Sequence, residues 1–224
     1  MQRRPSHELL DTDAGSADEI AASLSDLRWF NRWFGGVATS YDLVREVASR
    51  ADTRNLSLLE VASGEGYVQR EITTRQRKEN INLDVTLLDR SPSHLPANGT
   101  MPKLTGDALN LPFRDSAFDL VSSSLFVHHL SPPEAEEFIR ESLRVCRRAV
   151  LIHDLVRHAL HLAWAYAGLP LYRSRITRND APASVRQAYT PEEMLDFCHR
   201  AGATKTEIQR HFLFRMGVIA WKAA

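Results

Sequence analysis

Leu58-Leu59-Glu60-Val61-Ala62-Ser63-Gly64-Glu65-Gly66-Tyr67-Val68-Gln69-Arg70-Glu71-Ile72 is the stretch that decides how this chain is read. A short apolar run ends in an acid, a turn of small residues follows, and a helical pattern opens at Tyr67. That is the order strand, tight turn, helix. Small residues in such a turn let a ligand touch the backbone, and the start of the helix offers it unpaired N–H groups. The dinucleotide fingerprint G-x-G-x-x-G, begun at Gly64, needs glycine at position 69. Gln69 stands there, which counts against a nicotinamide or flavin cofactor. Taken alone, these residues also fit an ordinary strand-to-helix turn that binds nothing.

On either side of this stretch, short apolar runs alternate with longer amphipathic ones, the pattern of a mostly parallel sheet covered by helices on both faces. Strands are expected over 56–61, 85–88, 103–105, 119–123 and 149–153, and helices over 67–78, 132–145 and 191–201. Two last strands, 205–210 and 213–221, are joined by so short a connection that they must run antiparallel. The predicted fold is therefore α/β: a Rossmann-like three-layer sandwich whose mostly parallel seven-stranded sheet ends in an antiparallel hairpin. Before it, residues 1–23 read as a flexible arm passing into a helix. An aromatic amphipathic helix then carries Leu24, Leu27, Phe30 and Phe34 and stops at Gly35 and Gly36, and a second helix runs from 41 to 50. The expected division is an arm and helical cap over 1–50 and a main domain over 51–224.

In open α/β sheets, ligands bind beyond the carboxyl ends of the strands. Glu60, Gly64, Asp89, Asp107 and His128 all fall there. Four motifs in order, EVASGEG, LLD, GDALNLPF and FDLVSSSLFVHHL, make the chain resemble the class I S-adenosylmethionine-dependent methyltransferases. Within them the likeness is to the small-molecule group that includes ubiquinone and menaquinone biosynthesis enzymes. The resemblance covers about 56–221 and implies S-adenosylmethionine as cofactor. It implies that Glu60 approaches the methionine amino group and that Ser63, Gly64 and Gly66 lie against the cofactor. Asp89 would hold the ribose, Asp107 the adenine amino group with Ala108 beside it, and Ser124 would face the methionine end. Ala62 stands where the family more often has glycine; alanine fits there if the position keeps negative φ.

A base is needed only if the acceptor carries a proton, as a phenol of pKa about 10 does, and a histidine is the natural choice. His128, His129 and His153 stand at strand ends, and His128 and His153 are taken as catalytic candidates beside the alternative that they are structural. Successive strand side chains face opposite ways, so Asp154 is not expected to orient His153. Arg28 and Arg32, one helical turn apart, are candidates for the cofactor carboxylate, and Trp29 and Trp33 share a face with the same spacing. Residues 156–189 are read as a lid: a helix-like run, HALHLAWAYAGLPLY, followed by a loop, RSRITRNDAPASVRQAYT.

Composition narrows the partners. The chain of 224 residues balances 28 basic against 28 acidic side chains, which disfavours a nucleic-acid substrate. No [DNS]PP[YFW] follows the fourth strand, and neither Cys146 nor Cys198 follows a proline, so exocyclic-amine and covalent pyrimidine methylation are disfavoured. The two cysteines form no metal or disulfide pattern, and no apolar run has membrane-spanning or signal-peptide length, so a cytoplasmic, membrane-free protein with no metal is expected. The acceptor is expected to be a small, partly apolar molecule, with a phenolic, quinone-like or polyketide oxygen preferred. A homodimer is compatible with this. Two other readings are an RNA- or protein-modifying methyltransferase and a non-catalytic methyltransferase-like partner subunit.

Overall fold

The computed structural model describes residues 1–10 and 15–223. Helix α1 (Ala17–Trp33) is followed by α2 (Gly36–Arg50), β1 (Asn55–Val61), α3 (Tyr67–Lys78), β2 (Asn82–Asp89), β3 (Lys103–Thr105) and β4 (Phe118–Ser124). Then come α4 (Pro132–Val145), β5 (Cys146–Leu155), α5 (Ala159–Ala167), α6 (Arg175–Gln187), α7 (Pro191–Arg200), β6 (Lys205–His211) and β7 (Arg215–Trp221). The seven strands form one sheet in the order β3-β2-β1-β4-β5-β7-β6. Every pair is parallel except β5 with β7 and β7 with β6. The three-layer Rossmann-like architecture and its closing hairpin are as the alternation of the sequence implied.

Because strand side chains alternate, each central strand feeds two cores. Leu58, Leu120, Ala149, Leu151 and Ile219 pack with α2 and α3 through Leu43, Val47 and Ile72. Leu59, Val121, Val150, Ile152 and Val218 pack with α4 and α7 through Phe138, Ile139, Met194 and Phe197. The strands thus read as continuous apolar runs, and the polar residues at their carboxyl ends stand out.

Three local expectations change. Helix α1 begins at Ala17, earlier than the apolar spacing implied, because Ser16 and Glu19 close a capping box two turns ahead of Leu24, where that spacing starts. Part of the predicted arm, residues 11–14, lies outside the described residues. Residues 1–10 lie along α6 and the turn after β4: Arg3 donates to the carbonyls of His128, Leu130 and Gln187, and Arg4 N–H to that of Arg186. The stretch expected as a loop from 173 is instead largely α6. Its inner face of Ile176, Asp180, Ala183 and Gln187 has helical spacing but is half polar, so hydrophobic periodicity alone misses it.

The third change is at Ala62, whose φ is +55°, not negative. The turn from β1 requires the left-handed conformation, and a Cβ there costs about 1–2 kcal/mol. Ala62→Gly is expected to stabilise the protein by about 1 kcal/mol in urea unfolding, a rise of about 2–4 °C in Tm. A loss of stability would mean that the turn does not hold this conformation.

Candidate active site

A cavity of about 1310 Å³ opens above the carboxyl ends of the central strands, roofed by α1, α5 and α6. Single ligand pockets usually span about 300–1,000 Å³, so there is room for two molecules end to end. Ala62, Ser63, Gly64, Asp89, Asp107, Ala108 and Ser124 line it. Gly64 has φ +50°, and a Cβ added there would meet nothing within 4 Å, so the turn presents bare backbone to the cavity. Gly66 is behind the surface: it starts α3 at φ +65°, and its Cβ would strike Leu87 Cδ1 at 2.7 Å. Asp89 Oδ2 accepts from Gly64 N–H at 2.8 Å and Oδ1 from Ser91 N–H at 3.0 Å. A carboxylate offers about four acceptor positions, so two stay available for hydroxyls. Asp107 Oδ1 accepts from Leu109 N–H at 2.9 Å, which fixes the exposed turn after β3.

Glu60 lines the cavity from the end of β1 and is fully buried. Its Oε2 accepts from the Ser122 hydroxyl, and its Oε1 is buried without a hydrogen-bond partner. Burial pushes its pKa up to about 7 against the opposing polar contacts of Ser122, Ser124 and Gln69. Arg28 also lines the cavity and pairs with Glu65 at 2.6 Å, tying α1 to the turn after β1. Arg32 is not among the lining residues; its guanidinium lies over the Trp33 ring. Both Trp29 and Trp33 are exposed, but only Trp29 lines the cavity, so the two do not act together.

The far end of the cavity is apolar and aromatic. Phe30 packs edge-on against Tyr172, and Trp29 against Phe30 and Phe34. His128 and His129 are there, on the short turn after β4. His128 Nδ1 is 2.6 Å from Asp154 Oδ1, and Asp154 Oδ2 accepts His128 N–H at 3.0 Å. Both side chains are buried. Burial opposes the charge on His128, but Asp154 and the nearby Glu8 outweigh it and push the pKa up to about 10. An imidazolium held this way donates protons rather than taking them, so His128 lines the site without meeting the requirement for a base at neutral pH. His153 is not a lining residue of this cavity. It is buried on the side of α2, with Nδ1 3.3 Å from Ser40 Oγ and Nε2 3.0 Å from Arg215 Nη1, and burial followed by Arg215 pushes its pKa well below the usual value. These contacts hold its ring between α2 and β7, away from the cavity.

Three residues join the site that sequence reasoning did not assign. Asp154 was read only as a neighbour of His153, yet it orients His128 from the adjacent strand. Glu8 enters from the first ten residues, where its Oε1 accepts from Ser184 Oγ at 2.5 Å and Gln187 Nε2 at 2.7 Å. Glu8 is 120 positions from His128, and no local signal marks it. His161, on α5, lines the cavity with Nδ1 3.0 Å from the Val156 carbonyl and its ring stacked on Phe214. Burial lowers its pKa to about 4, so it is neutral at pH 7. A carbonyl only accepts, so Nδ1 carries the proton and Nε2 keeps the lone pair.

Residues 59–152 match a family model described as a methyltransferase domain. Among curated proteins, no sequence match is found. Among solved structures, the plantazolicin methyltransferase BpumL, in complex with a monoazolic desmethylPZN analog and SAH, superposes with a TM-score of 0.71 at 14% identity, covering 96% of this chain and 93% of that one. The O-methyltransferase family 2 protein from Planctomyces limnophilus in complex with apigenin gives 0.62 at 15%, covering 95% and 63%. Magnesium protoporphyrin IX methyltransferase from Synechocystis PCC 6803 with bound SAH gives 0.56 at 14%, covering 84% of each chain. At these identities the likeness is one of fold. No helix among the described residues is long and apolar enough to cross a membrane. Family match and strand-end geometry agree: over residues 59–152 the chain is similar to methyltransferase domains, and its fold is the one the solved methyltransferases share.

Proposed function

We propose that the protein transfers a methyl group from S-adenosylmethionine to an oxygen of a small, partly apolar acceptor of phenolic, quinone-like or polyketide type. The observation that carries this is a single cavity with two chemically distinct ends, one polar and built on strand ends, the other lined by Phe30, Phe34, Leu125, Leu171 and Tyr172. The polar end suits the cofactor: Gly64 leaves free space beside the turn, Asp89 keeps acceptor positions for ribose hydroxyls, and the orphan Oε1 of Glu60 suits an ammonium group. When bound, the cofactor supplies a sulfonium methyl that leaves with a neutral thioether behind it.

The chain's own part is to align the two ends and keep water out. Residues 156–189 and α1 act as the cap. His161 is the base in this reading: Nε2 takes the acceptor's hydroxyl proton as the new carbon–oxygen bond forms, while Nδ1–H stays on the Val156 carbonyl. Screening phenolic acceptors with methyl-labelled cofactor tests the function, and S-adenosylhomocysteine calorimetry tests the cofactor site. His161→Asn is expected to lower kcat by about 10²–10⁴-fold with S-adenosylhomocysteine affinity unchanged. An unchanged kcat would remove His161 from the mechanism, and no binding of S-adenosylhomocysteine would overturn the reading as a whole.

A further inference from the structure

The acceptor end holds a second group of residues that methyl transfer to oxygen does not by itself require. Glu8, His128 and His129 bring a carboxylate oxygen and two imidazole nitrogens within 4.8 Å of one another. Glu8 and His128 are buried, and His129 is partly buried. The spacing is informative. His128 Nε2 is 3.6 Å from Glu8 Oε1, and His129 Nε2 is 4.0 Å from Glu8 Oε2. Both distances exceed the roughly 2.7–3.2 Å of an N–H···O hydrogen bond. They come close to the separation of neighbouring ligands around an ion bound at about 2.0–2.2 Å.

The outer partners point the same way. Metal-bound histidines ordinarily donate their second nitrogen to a carboxylate, which fixes the tautomer. His128 does this with Asp154 at 2.6 Å, which leaves Nε2 directed to Glu8, and an ion bound there takes the place of the Nε2 proton, which is released to solvent. Ser184 and Gln187 both donate to Glu8 Oε1 and hold its carboxylate in place. Three protein ligands beside an open cavity is the layout of a catalytic rather than a structural metal site.

We infer that Glu8, His128 and His129 bind a divalent transition metal ion of the zinc type at the acceptor end of the cavity, where the open coordination position takes an oxygen of the acceptor. Two imidazoles and one carboxylate favour zinc-like ions over magnesium, which prefers an all-oxygen shell. The ion would also clip residues 1–10 to the turn after β4. The acceptor-holding role rests on the function proposed above; the metal site itself does not.

Isothermal titration of Zn²⁺ into the untagged, chelator-treated full chain tests it, with Mg²⁺ titrated in parallel. One equivalent of Zn²⁺ is expected, with Mg²⁺ at least 100-fold weaker. Glu8→Gln and His129→Asn are each expected to weaken Zn²⁺ at least tenfold while S-adenosylhomocysteine still binds, which shows that the fold and cofactor site survive. Absence of stoichiometric Zn²⁺ binding to the wild-type chain overturns the inference, as does Zn²⁺ binding that neither substitution weakens. Failure to bind S-adenosylhomocysteine with Zn²⁺ binding intact would instead count against the proposed function.

Discussion

Glu60→Gln is expected to raise the stability of the cofactor-free protein and lower its affinity for the cofactor, two effects of opposite sign from one carboxyl group. In the folded chain the pKa of Glu60 is pushed up to about 7, against an ordinary value of 4.5, because its carboxyl is wholly buried at the end of β1. The folded state therefore favours the protonated form. The stability this gives is fully present below pH 4.5 and is lost as pH rises from 4.5 through 7. At 1.36 kcal/mol per pKa unit, the carboxylate costs about 3 kcal/mol at pH 8. Glutamine never ionises, so the variant's gain in Tm is expected to be large at pH 8 and small near pH 5.

Cofactor binding runs the other way. An ammonium group beside Oε1 favours the carboxylate, so affinity for S-adenosylhomocysteine should rise with pH and level off above 7. Between pH 8 and 5.5 it is expected to fall about 30-fold. In Glu60→Gln the slope disappears, and affinity at pH 8 drops about tenfold or more, the worth of a charge-assisted hydrogen bond. Calorimetry from pH 5.5 to 8.5 on both proteins checks this. A flat wild-type profile, or a variant that keeps the slope, would separate Glu60 from the cofactor's ammonium group.

How far the sequence carried the reading differs between the two ends of the cavity, for a physical reason. The cofactor end is built from strand termini and the turns after them, so its residues lie next to the apolar runs that define the sheet. Glu60, Gly64, Asp89 and Asp107 are therefore legible from order alone. The two positions that moved were misread for local reasons. Arg32 is one turn from Arg28, but the helix turns its side chain onto Trp33. Ala62 was judged by residue type, which does not reveal that the turn demands positive φ.

The acceptor end is assembled from segments distant in sequence. Glu8, His128, His161 and Ser184 come from four separate elements, and only the packing of residues 1–10 and α6 over the sheet brings them together. His153 illustrates the same limit in reverse. It sits at a strand end, as a catalytic histidine would, but β5 is interior and alternation turns its side chain away from the cavity toward Ser40 on α2. Asp154, one residue on, faces the opposite way and meets His128. Alternation along β5 separates His153 from Asp154, but the partner of Asp154 comes from the turn after the neighbouring β4, which the order of residues along one strand does not reveal.

Asp154 is also where the largest loss of stability is expected. It is 1% exposed and accepts three hydrogen bonds, from His128 Nδ1, His128 N–H and Leu155 N–H. Arg215 on the neighbouring β7 is buried too. Burial lowers its pKa to about 10 even though Asp154 works to raise it, and it donates to the Phe34 carbonyl at 2.8 Å. Arg215 lies on the face of His153, which is neutral; Asp154, on the opposite face, favours this cation only through space and pairs directly with His128. Asp154→Asn keeps the shape and removes the charge. A buried pair broken from one side typically costs about 3–5 kcal/mol, because the remaining charge has been taken out of water without compensation. For a chain of this size that is about 6–20 °C in Tm. His153→Gln, which removes a neutral ring and leaves the charge balance intact, should cost clearly less. Urea unfolding of the two variants compares them directly. If Asp154→Asn costs under 1 kcal/mol, or less than His153→Gln, the buried carboxylate does not hold the His128 imidazolium, and the orientation of His128 must come from elsewhere.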